Sequence, residues 1–131
     1  MRKITKLKLA HVEQEAKTVA KSLIGGETLA LIGPLGAGKT TFVKALGQAL
    51  KIKSKITSPT FALMHAFPVK LKARHVTLYH LDLYRLNSFK EAKALGLAEF
   101  WGQPESITII EWANKIKKHL PKKTHFIYFK P

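Results

Sequence analysis

The chain has no cysteine among its 131 residues, which excludes disulfides and thiolate metal sites. No apolar run approaches the roughly 18 residues that a membrane-spanning helix needs. The basic N-terminal segment 1–6 is followed by no apolar block, so a secretory signal is not expected. Together these absences predict a cytoplasmic protein.

Acidic residues and arginine are also scarce. Seven glutamates, three arginines and a single aspartate, Asp82, stand against 20 lysines, and the net charge is +15. Such an imbalance favours encounters with polyanions, above all nucleic acid, although a solvated lysine surface explains it equally well. The basic residues gather in segments 3–8, 51–55, 70–74 and 115–123.

The most informative feature that is present is a glycine-rich segment at 33–40. It reads Gly-Pro-Leu-Gly-Ala-Gly-Lys-Thr and matches the phosphate-loop pattern G-x-x-x-x-G-K-[ST]. An apolar run at 28–32 predicts a strand entering the loop, and a helical stripe at 42–50 predicts a helix leaving it. Backbone N–H groups and the helix dipole would then face the phosphates of a nucleoside triphosphate.

Each position of this loop has an expected role. Lys39 should reach the β- and γ-phosphates, and Thr40 should hold Mg²⁺ through its hydroxyl group. Gly36 and Gly38 let the backbone approach the phosphates, and Pro34 donates no N–H, so the donors start at residue 35. The residues expected to bind the nucleotide here are Gly33, Leu35, Gly36, Ala37, Gly38, Lys39, Thr40 and Thr41.

Two carboxylates are candidates for the metal side of the site. Glu111 follows the apolar strand predicted at 107–110, and Asp82 ends a strand on which His80 lies on the same face. The more apolar strand favours Glu111 as the metal-side or water-activating residue, with Asp82 binding the metal through water. For both, a surface carboxylate remains the alternative interpretation.

Three further features of the sequence can be interpreted either as functional or as structural. The segment 57–61 lies where a phosphate-loop switch belongs, and its Thr57 and Thr60 hydroxyls could sense the γ-phosphate, but such runs are also common turns. Trp112 could stack on a base or a partner, or pack in the core. His80 could act as a base, although a packed, hydrogen-bonded histidine is the more frequent case.

The order of elements predicts one α/β domain over residues 1–131. Strands are expected near 2–9, 28–32, 61–67, 75–83, 107–110 and 124–129, with a basic turn at 68–73 that makes the third and fourth a hairpin. Ser88 and Glu91 form a capping box that predicts a short helix, interrupted at Gly96. Segment 114–117 imitates the guanine code Asn-Lys-x-Asp but ends in lysine, which favours adenine by elimination.

Taken in order, the motifs resemble one family. They are Gly-x-Leu-Gly-Ala-Gly-Lys-Thr-Thr at 33–41, Thr-Ser-Pro-Thr-Phe at 57–61, His-Leu-Asp-Leu-Tyr-Arg-Leu at 80–86, Leu-Gly-Leu-x-Glu at 95–99 and Ile-Glu-Trp at 110–112. This set resembles the TsaE family, the bacterial ATPase subunit of the machinery that forms threonylcarbamoyladenosine in tRNA. Pro34 departs from the family pattern, which has aspartate there.

The resemblance implies a three-layer α/β/α phosphate-loop fold with a mixed sheet, with ATP and Mg²⁺ as cofactors. It implies slow ATP hydrolysis that resets a complex with a kinase-like transferase subunit and its paralogous scaffold. That complex modifies adenosine 37 of tRNAs that read codons starting with A.

The resemblance also implies site residues. Lys39, Glu111 and Asp82 are the catalytic residues, Thr40, Glu111 and Asp82 are the metal-side residues, and Trp112 lies beside the nucleotide.

Two other functions remain open from the residues alone. A small-molecule kinase would need an acceptor pocket and an arginine-bearing lid, for which the chain has few residues left. A nucleotide-gated RNA-binding module would use the lysines, although no RNA-recognition motif supports it.

Overall fold

The computed structural model describes residues 3–34, 36–53, 56, 64–72, 74–84 and 86–130, with the side chains of all of them except Lys3, Asn114 and Lys115. Six strands form one sheet: β1 (Lys3–Leu7), β2 (Thr28–Ile32), β3 (Met64–Leu71), β4 (Arg74–Asp82), β5 (Ser106–Glu111) and β6 (His125–Phe129). The α-helices are α1 (Val12–Ser22), α2 (Lys39–Ala49) and α3 (Phe89–Ala94). Short 3-10 segments cover Leu9–His11 and Ala113–His119.

The strand order in the sheet is β1-β6-β2-β5-β4-β3. All neighbouring pairs are parallel except β3 with β4, so the sheet is mixed, as predicted. The strand that enters the glycine-rich loop, β2, lies in the middle, and β5 and β4 follow it on one side. Since β2, β5 and β4 run in the same direction, their carboxyl ends lie along one edge of the sheet, where open α/β sheets bind ligands.

Apolar residues cover both faces of the sheet. Leu29 and Leu31 belong to one cluster, which contains buried residues of α1 and α2. Ala30, between them in sequence, belongs to a second cluster with Ala92 of α3 and Ile116 of the second 3-10 segment. The alternation follows from the two-residue period of a strand. It produces three layers, which confirms the expected α/β/α sandwich.

The hairpin differs from its prediction. The segment 68–71 was expected to be a turn, but it continues β3, in which Val69 and Leu71 are buried and alternate with exposed neighbours. Pro68 is tolerated because β3 is an edge strand. Leu71 pairs with Arg74, so the turn is short. Residues 61–63, the expected start of this strand, lie outside the described residues.

Helix α3 begins where the capping box indicates. Ser88 precedes α3, and its Oγ accepts a hydrogen bond from the Glu91 N–H at 3.4 Å. Gly96 follows with a φ of +74°, the left-handed conformation that ends helices. The 3-10 segment after β5 was not predicted. In the described part of the chain, no helix combines the length and apolarity needed to cross a membrane.

Candidate functional site

The glycine-rich loop connects β2 to the N-terminus of α2. Gly38 caps that helix with a φ of +107°, and a Cβ there would lie 3.0 Å from Val12 Cγ2 and 3.1 Å from Leu9 Cδ1. Gly36 has a φ of +78° with no neighbouring atom near its Cβ position. Glycine is therefore required at position 38 by the positive φ angle and by the close neighbouring atoms. At position 36 it is required by the positive φ angle alone. Leu35 lies outside the described residues.

The first glycine of the loop has a packing role. A Cβ on Gly33 would lie 2.8 Å from both the Cβ and the carbonyl oxygen of Phe129 in β6. Its own carbonyl accepts a hydrogen bond from Lys39 Nζ at 2.6 Å. Gly33 thus lets the loop leave the sheet close to the neighbouring strand, and it fixes the lysine across the loop.

Lys39 is buried, with 5% of its surface exposed, although its side chain carries an ammonium group. Besides the Gly33 carbonyl, Nζ lies 4.0 Å from the centre of the Trp112 ring, in a cation–π contact. Burial lowers the pKa of Lys39 below its ordinary value, and the charges of Glu111 and Asp82 raise it in part. An additional anionic group at this place would stabilise the charged form of Lys39.

The two predicted carboxylates are neighbours. Asp82 and Glu111 are register partners at the ends of β4 and β5, and Glu111 is in turn the partner of Leu31 in β2. Both carboxylates are 5% exposed. The parallel pairing of three strands thus brings both acids beside the loop that follows β2, and neither is the surface carboxylate of the alternative interpretation.

Two contacts orient these carboxylates. His80 Nε2–H donates a hydrogen bond to Glu111 Oε2 at 2.6 Å, and the imidazole is only 1% exposed. Asp82 Oδ1 accepts from the Tyr84 backbone N–H at 2.9 Å. His80 is therefore packed and hydrogen-bonded, the more frequent of the two cases considered from the sequence, and its partner is the predicted metal-side residue.

Trp112 adopts a backbone conformation that is rare outside glycine, with φ +62° and ψ +31°. The turn ends β5 directly after Glu111 and lays the indole ring against Lys39. The ring also lies 5.1 Å from that of Tyr84, tilted by 57°. The half-buried Trp112 is thus part of the wall of the site, although it also contacts the second core cluster.

Several of these residues line one cleft of about 710 Å³, whereas Gly33, Ala37 and His80 are not among its lining residues. Its lining consists of Leu9, Gly36, Gly38, Lys39, Thr40, Thr41, Asp82, Tyr84, Glu111 and Trp112. Of the predicted switch, Thr57 and Thr60 lie outside the described residues. Leu9 and Tyr84 were not predicted as lining residues. Tyr84 could have been found, because it follows Asp82 by two residues at the same strand end.

The oxygen ligands in this cleft suit a hard cation. A threonine hydroxyl and two carboxylates are the ligand types that Mg²⁺ takes from proteins. Among the described residues, no group of three or more acids or histidines could hold a metal ion by itself. Mg²⁺ is usually bound by one or two carboxylates together with substrate phosphates.

Comparison with known proteins identifies relatives of this chain. The family model "Threonylcarbamoyl adenosine biosynthesis protein TsaE" matches residues 8–131. The tRNA threonylcarbamoyladenosine biosynthesis protein TsaE of Treponema pallidum (strain Nichols) is 39% identical over 107 residues, covering 81% of this chain and 74% of that protein. The protein of the same name from Aquifex aeolicus (strain VF5) is 41% identical over 104 residues, covering 78% and 69%.

A solved structure agrees with this similarity. The crystal structure of Bacillus subtilis YdiB matches with a TM-score of 0.65 and 30% sequence identity. The match covers 92% of this chain and 71% of that chain. The fold of this chain is therefore shared by a protein that is also similar to it in sequence.

Proposed function

Since the chain belongs to the TsaE family of threonylcarbamoyl adenosine biosynthesis proteins, we propose that it is an ATPase subunit that acts in forming threonylcarbamoyladenosine in tRNA. The relatives carry the name of that pathway. The activity of this subunit is Mg²⁺-dependent binding and slow hydrolysis of ATP. Its partners are the transferase subunit and the paralogous scaffold subunit that the family resemblance implies.

One observation carries this proposal. A buried lysine, a helix N-terminus and two buried carboxylates converge on one cleft at the ends of three adjacent parallel strands. Burying Lys39 and both acids costs free energy unless they interact with each other or with a ligand. Such an arrangement is typical of a site that handles a charged ligand, rather than of a region that only stabilises the fold.

The cleft residues bind different parts of the nucleotide and its metal ion. The free backbone N–H groups of the first turn of α2 bind phosphate oxygens, as the dipole of that helix favours. The Lys39 ammonium group leaves the Gly33 carbonyl and binds the β- and γ-phosphates. Thr40, Glu111 and Asp82 would hold Mg²⁺, which when bound neutralises phosphate charge as a Lewis acid.

The surrounding residues prepare the site for hydrolysis. The hydrogen bond from His80 fixes the Glu111 carboxylate, and the Tyr84 N–H fixes that of Asp82. Glu111 then orients the attacking water from the wall of the cleft. The ring of Trp112 lies over the Lys39 ammonium group and shields it from bulk water, which strengthens its attraction to the phosphates.

Calorimetry with a matched pair of variants tests nucleotide binding. Lys39→Ala removes the buried ammonium, whereas Lys44→Ala removes an exposed ammonium from the same helix. We expect heat on titrating Mg-ATP into the wild type and Lys44→Ala, and none with Lys39→Ala. A folded wild type that gives no heat, with or without its partner subunits, contradicts the proposal, as does unchanged affinity in Lys39→Ala.

The role in the complex requires a second experiment. The subunit is mixed with the transferase and scaffold subunits in ATP or in ADP, and copurification is measured. We expect association to depend on which nucleotide is present, and tRNA modification to stop over repeated cycles when Lys39→Ala replaces the wild type. Association that is the same in both nucleotides argues against a resetting role.

Among the residues that the structure describes, no arginine of the kind that the kinase alternative requires lines the cleft. Of the three arginines, Arg74 is the one that the structure describes, and it begins β4 at the end opposite to Asp82. Its guanidinium donates to the carbonyls of Ile24 and Pro104 at 2.7 and 2.8 Å, so it ties loops together. Transfer of phosphate to an acceptor other than water would revive this alternative.

A further inference from the structure

A second groove lies at the end of the molecule opposite to the nucleotide cleft. It has a volume of about 740 Å³ and lies between the C-terminal ends of α1 and α2 and the turn of the β3–β4 hairpin. Helix α2 begins at the nucleotide cleft and ends at this groove, and β4 begins here and ends at Asp82. The two sites therefore share elements but no residues.

The charged side chains that line this groove are positive. In the part of the chain that the structure describes, five lysines and no aspartate or glutamate line it. The lining residues are Ala20, Lys21, Leu23, Ala49, Leu50, Lys51, Ile52, Lys53, Pro68, Val69, Lys70, Leu71, Lys72 and His75. All five lysines and His75 are exposed. The ammonium groups thus surround a concave apolar floor to which Leu50 and Ile52 contribute.

Two of these lysines occupy backbone positions that disfavour them. Lys51 has a φ of +60° and follows the last residues of α2, where its N–H donates to the Gln48 carbonyl and that of Ile52 donates to the Gly47 carbonyl. This is the Schellman arrangement, in which glycine is the usual residue at the position of Lys51. Lys72, in the turn of the hairpin, has a φ of +49°, where glycine or asparagine is favoured.

The helix dipole accounts for only part of this cluster. Lys21 lies in the last turn of α1 and Lys51 just after α2, where cations are favoured. Lys53, Lys70 and Lys72 lie beyond these helix ends, on a loop and a hairpin. The folded state therefore gains little from most of these charges, and a polyanionic ligand would account for their gathering around one groove.

We propose that this basic groove, lined by the residues given above, binds the phosphate backbone of base-paired RNA. Lysine binds phosphate as a mobile point charge, which suits a repeating backbone. Among its described lining residues, His75 has the one aromatic ring and none is an arginine, so the groove offers little surface for stacking on unpaired bases. Protein interfaces are enriched in arginine and aromatic residues and depleted in lysine, which argues against an acidic protein as the occupant.

Because Lys51 and Lys72 have left-handed backbone conformations, they can be replaced in a test that leaves the fold intact. In the double variant Lys51→Gly/Lys72→Asn, each new residue suits the observed backbone better than lysine, so folding is maintained while two charges are removed. The matched control Lys90→Gln/Lys93→Gln removes two exposed charges from α3, on the opposite face of the sheet. The probe is an RNA hairpin with a stem of about 16 base pairs.

The measured quantity is the slope of log Kobs against log salt concentration. Each phosphate contact contributes about one to this slope, so we expect the groove variant to lose about two, and to bind roughly tenfold or more weakly at about 0.1 M salt. The control variant should keep the wild-type slope to within a few tenths. A single-stranded RNA of equal length should bind the wild type more weakly than the hairpin.

Three outcomes would overturn the proposal. They are equal slopes in the groove and control variants, stronger binding of the single strand, and displacement of the hairpin by polyglutamate at equal charge concentration. The last outcome would identify an acidic protein surface as the ligand. Mg-ATP binding is measured on the same samples, and it should be unchanged in both variants, so failure here leaves the nucleotide proposal standing.

Discussion

His80 and Glu111 form a buried pair, with 2.6 Å between Nε2 and Oε2, although 31 positions separate them in the chain. His80 pairs in register with Ile109, so the histidine reaches diagonally across the parallel strands to the acid. Its second ring nitrogen, Nδ1, is buried without a hydrogen-bond partner among the described residues. The hydrogen bond to Glu111 is thus the one that the imidazole makes among the described residues. His80 is therefore a positioning residue for the Glu111 carboxylate.

Replacing His80 tests this positioning role. We expect His80→Leu to lower kcat for ATP hydrolysis by about 10- to 100-fold and to raise the Mg²⁺ concentration for half-maximal rate, with little change in KM for ATP. His80→Gln, which keeps an N–H donor near the position of Nε2, should restore part of kcat. His75→Gln, an exposed substitution on the same strand, serves as control. Equal losses in the Leu and Gln variants would indicate a purely structural role.

The two acids should differ in their effect on hydrolysis. We expect Glu111→Gln to reduce the Mg²⁺-dependent rate by at least 100-fold, since it removes the proposed water-orienting charge. Asp82→Asn should reduce it less and mainly increase the Mg²⁺ requirement. Both variants should still bind nucleotide, which steady-state kinetics combined with calorimetry can show. The opposite order of the two effects would exchange the roles assigned to these residues.

Tryptophan fluorescence should report nucleotide binding. The chain has two tryptophans, so Trp101→Phe leaves Trp112 as the sole indole. Because Lys39 Nζ lies 4.0 Å from the Trp112 ring, its movement toward phosphates changes the field on the indole. We expect a saturable change in emission on titration with Mg-ATP, and no change when Lys39→Ala is added to Trp101→Phe. A signal that persists without the lysine would show that another contact is responsible.

Stability should depend on pH through Lys39. Its pKa is lowered in the folded protein, so between that value and the ordinary lysine value the unfolded chain binds more protons than the folded one. The free energy of unfolding of the wild type, relative to Lys39→Met, should therefore rise with pH across this window, by up to about 1.4 kcal/mol per pH unit, and stay level below it. Urea unfolding of both proteins from neutral to alkaline pH measures the difference.

The two glycines of the loop should differ in their tolerance of alanine. Gly33→Ala places a Cβ 2.8 Å from the Phe129 carbonyl oxygen, and we expect a loss of stability of about 1–3 kcal/mol. Gly36→Ala meets no neighbouring atom and should cost about 1 kcal/mol, from its left-handed backbone alone. Thermal unfolding of ligand-free protein compares them. A larger loss at Gly36 would contradict the packing role of Gly33.

Local patterns in the sequence were sufficient for much of this fold and site. Some elements depend only on residues that are close together in the chain, and these could be predicted. They are the loop at 33–40, its flanking strand and helix, and the capping box at Ser88. Glu111 and Asp82 could be proposed because each ends an apolar strand, although nothing local showed that they are register partners.

Long-range pairing determined what the sequence left open. The contact between His80 and Glu111 requires β4 and β5 to be parallel neighbours, which no short pattern specifies. The extent of β3 was misjudged because Pro68 is usually read as a break, and only its place at the edge of the sheet makes it acceptable. The left-handed turn at Trp112 likewise contradicts the preference of that residue.

The same proline has a consequence for the behaviour of the protein at high concentration. An edge strand offers a row of unpaired backbone groups to any other extended chain, which can start aggregation. In β3 the row is interrupted at Pro68, which has no N–H to give, and exposed Lys70 brings a charge near that edge. Pairing of another extended chain along β3 is thereby disfavoured at Pro68, on the side of the sheet where β3 is the last strand.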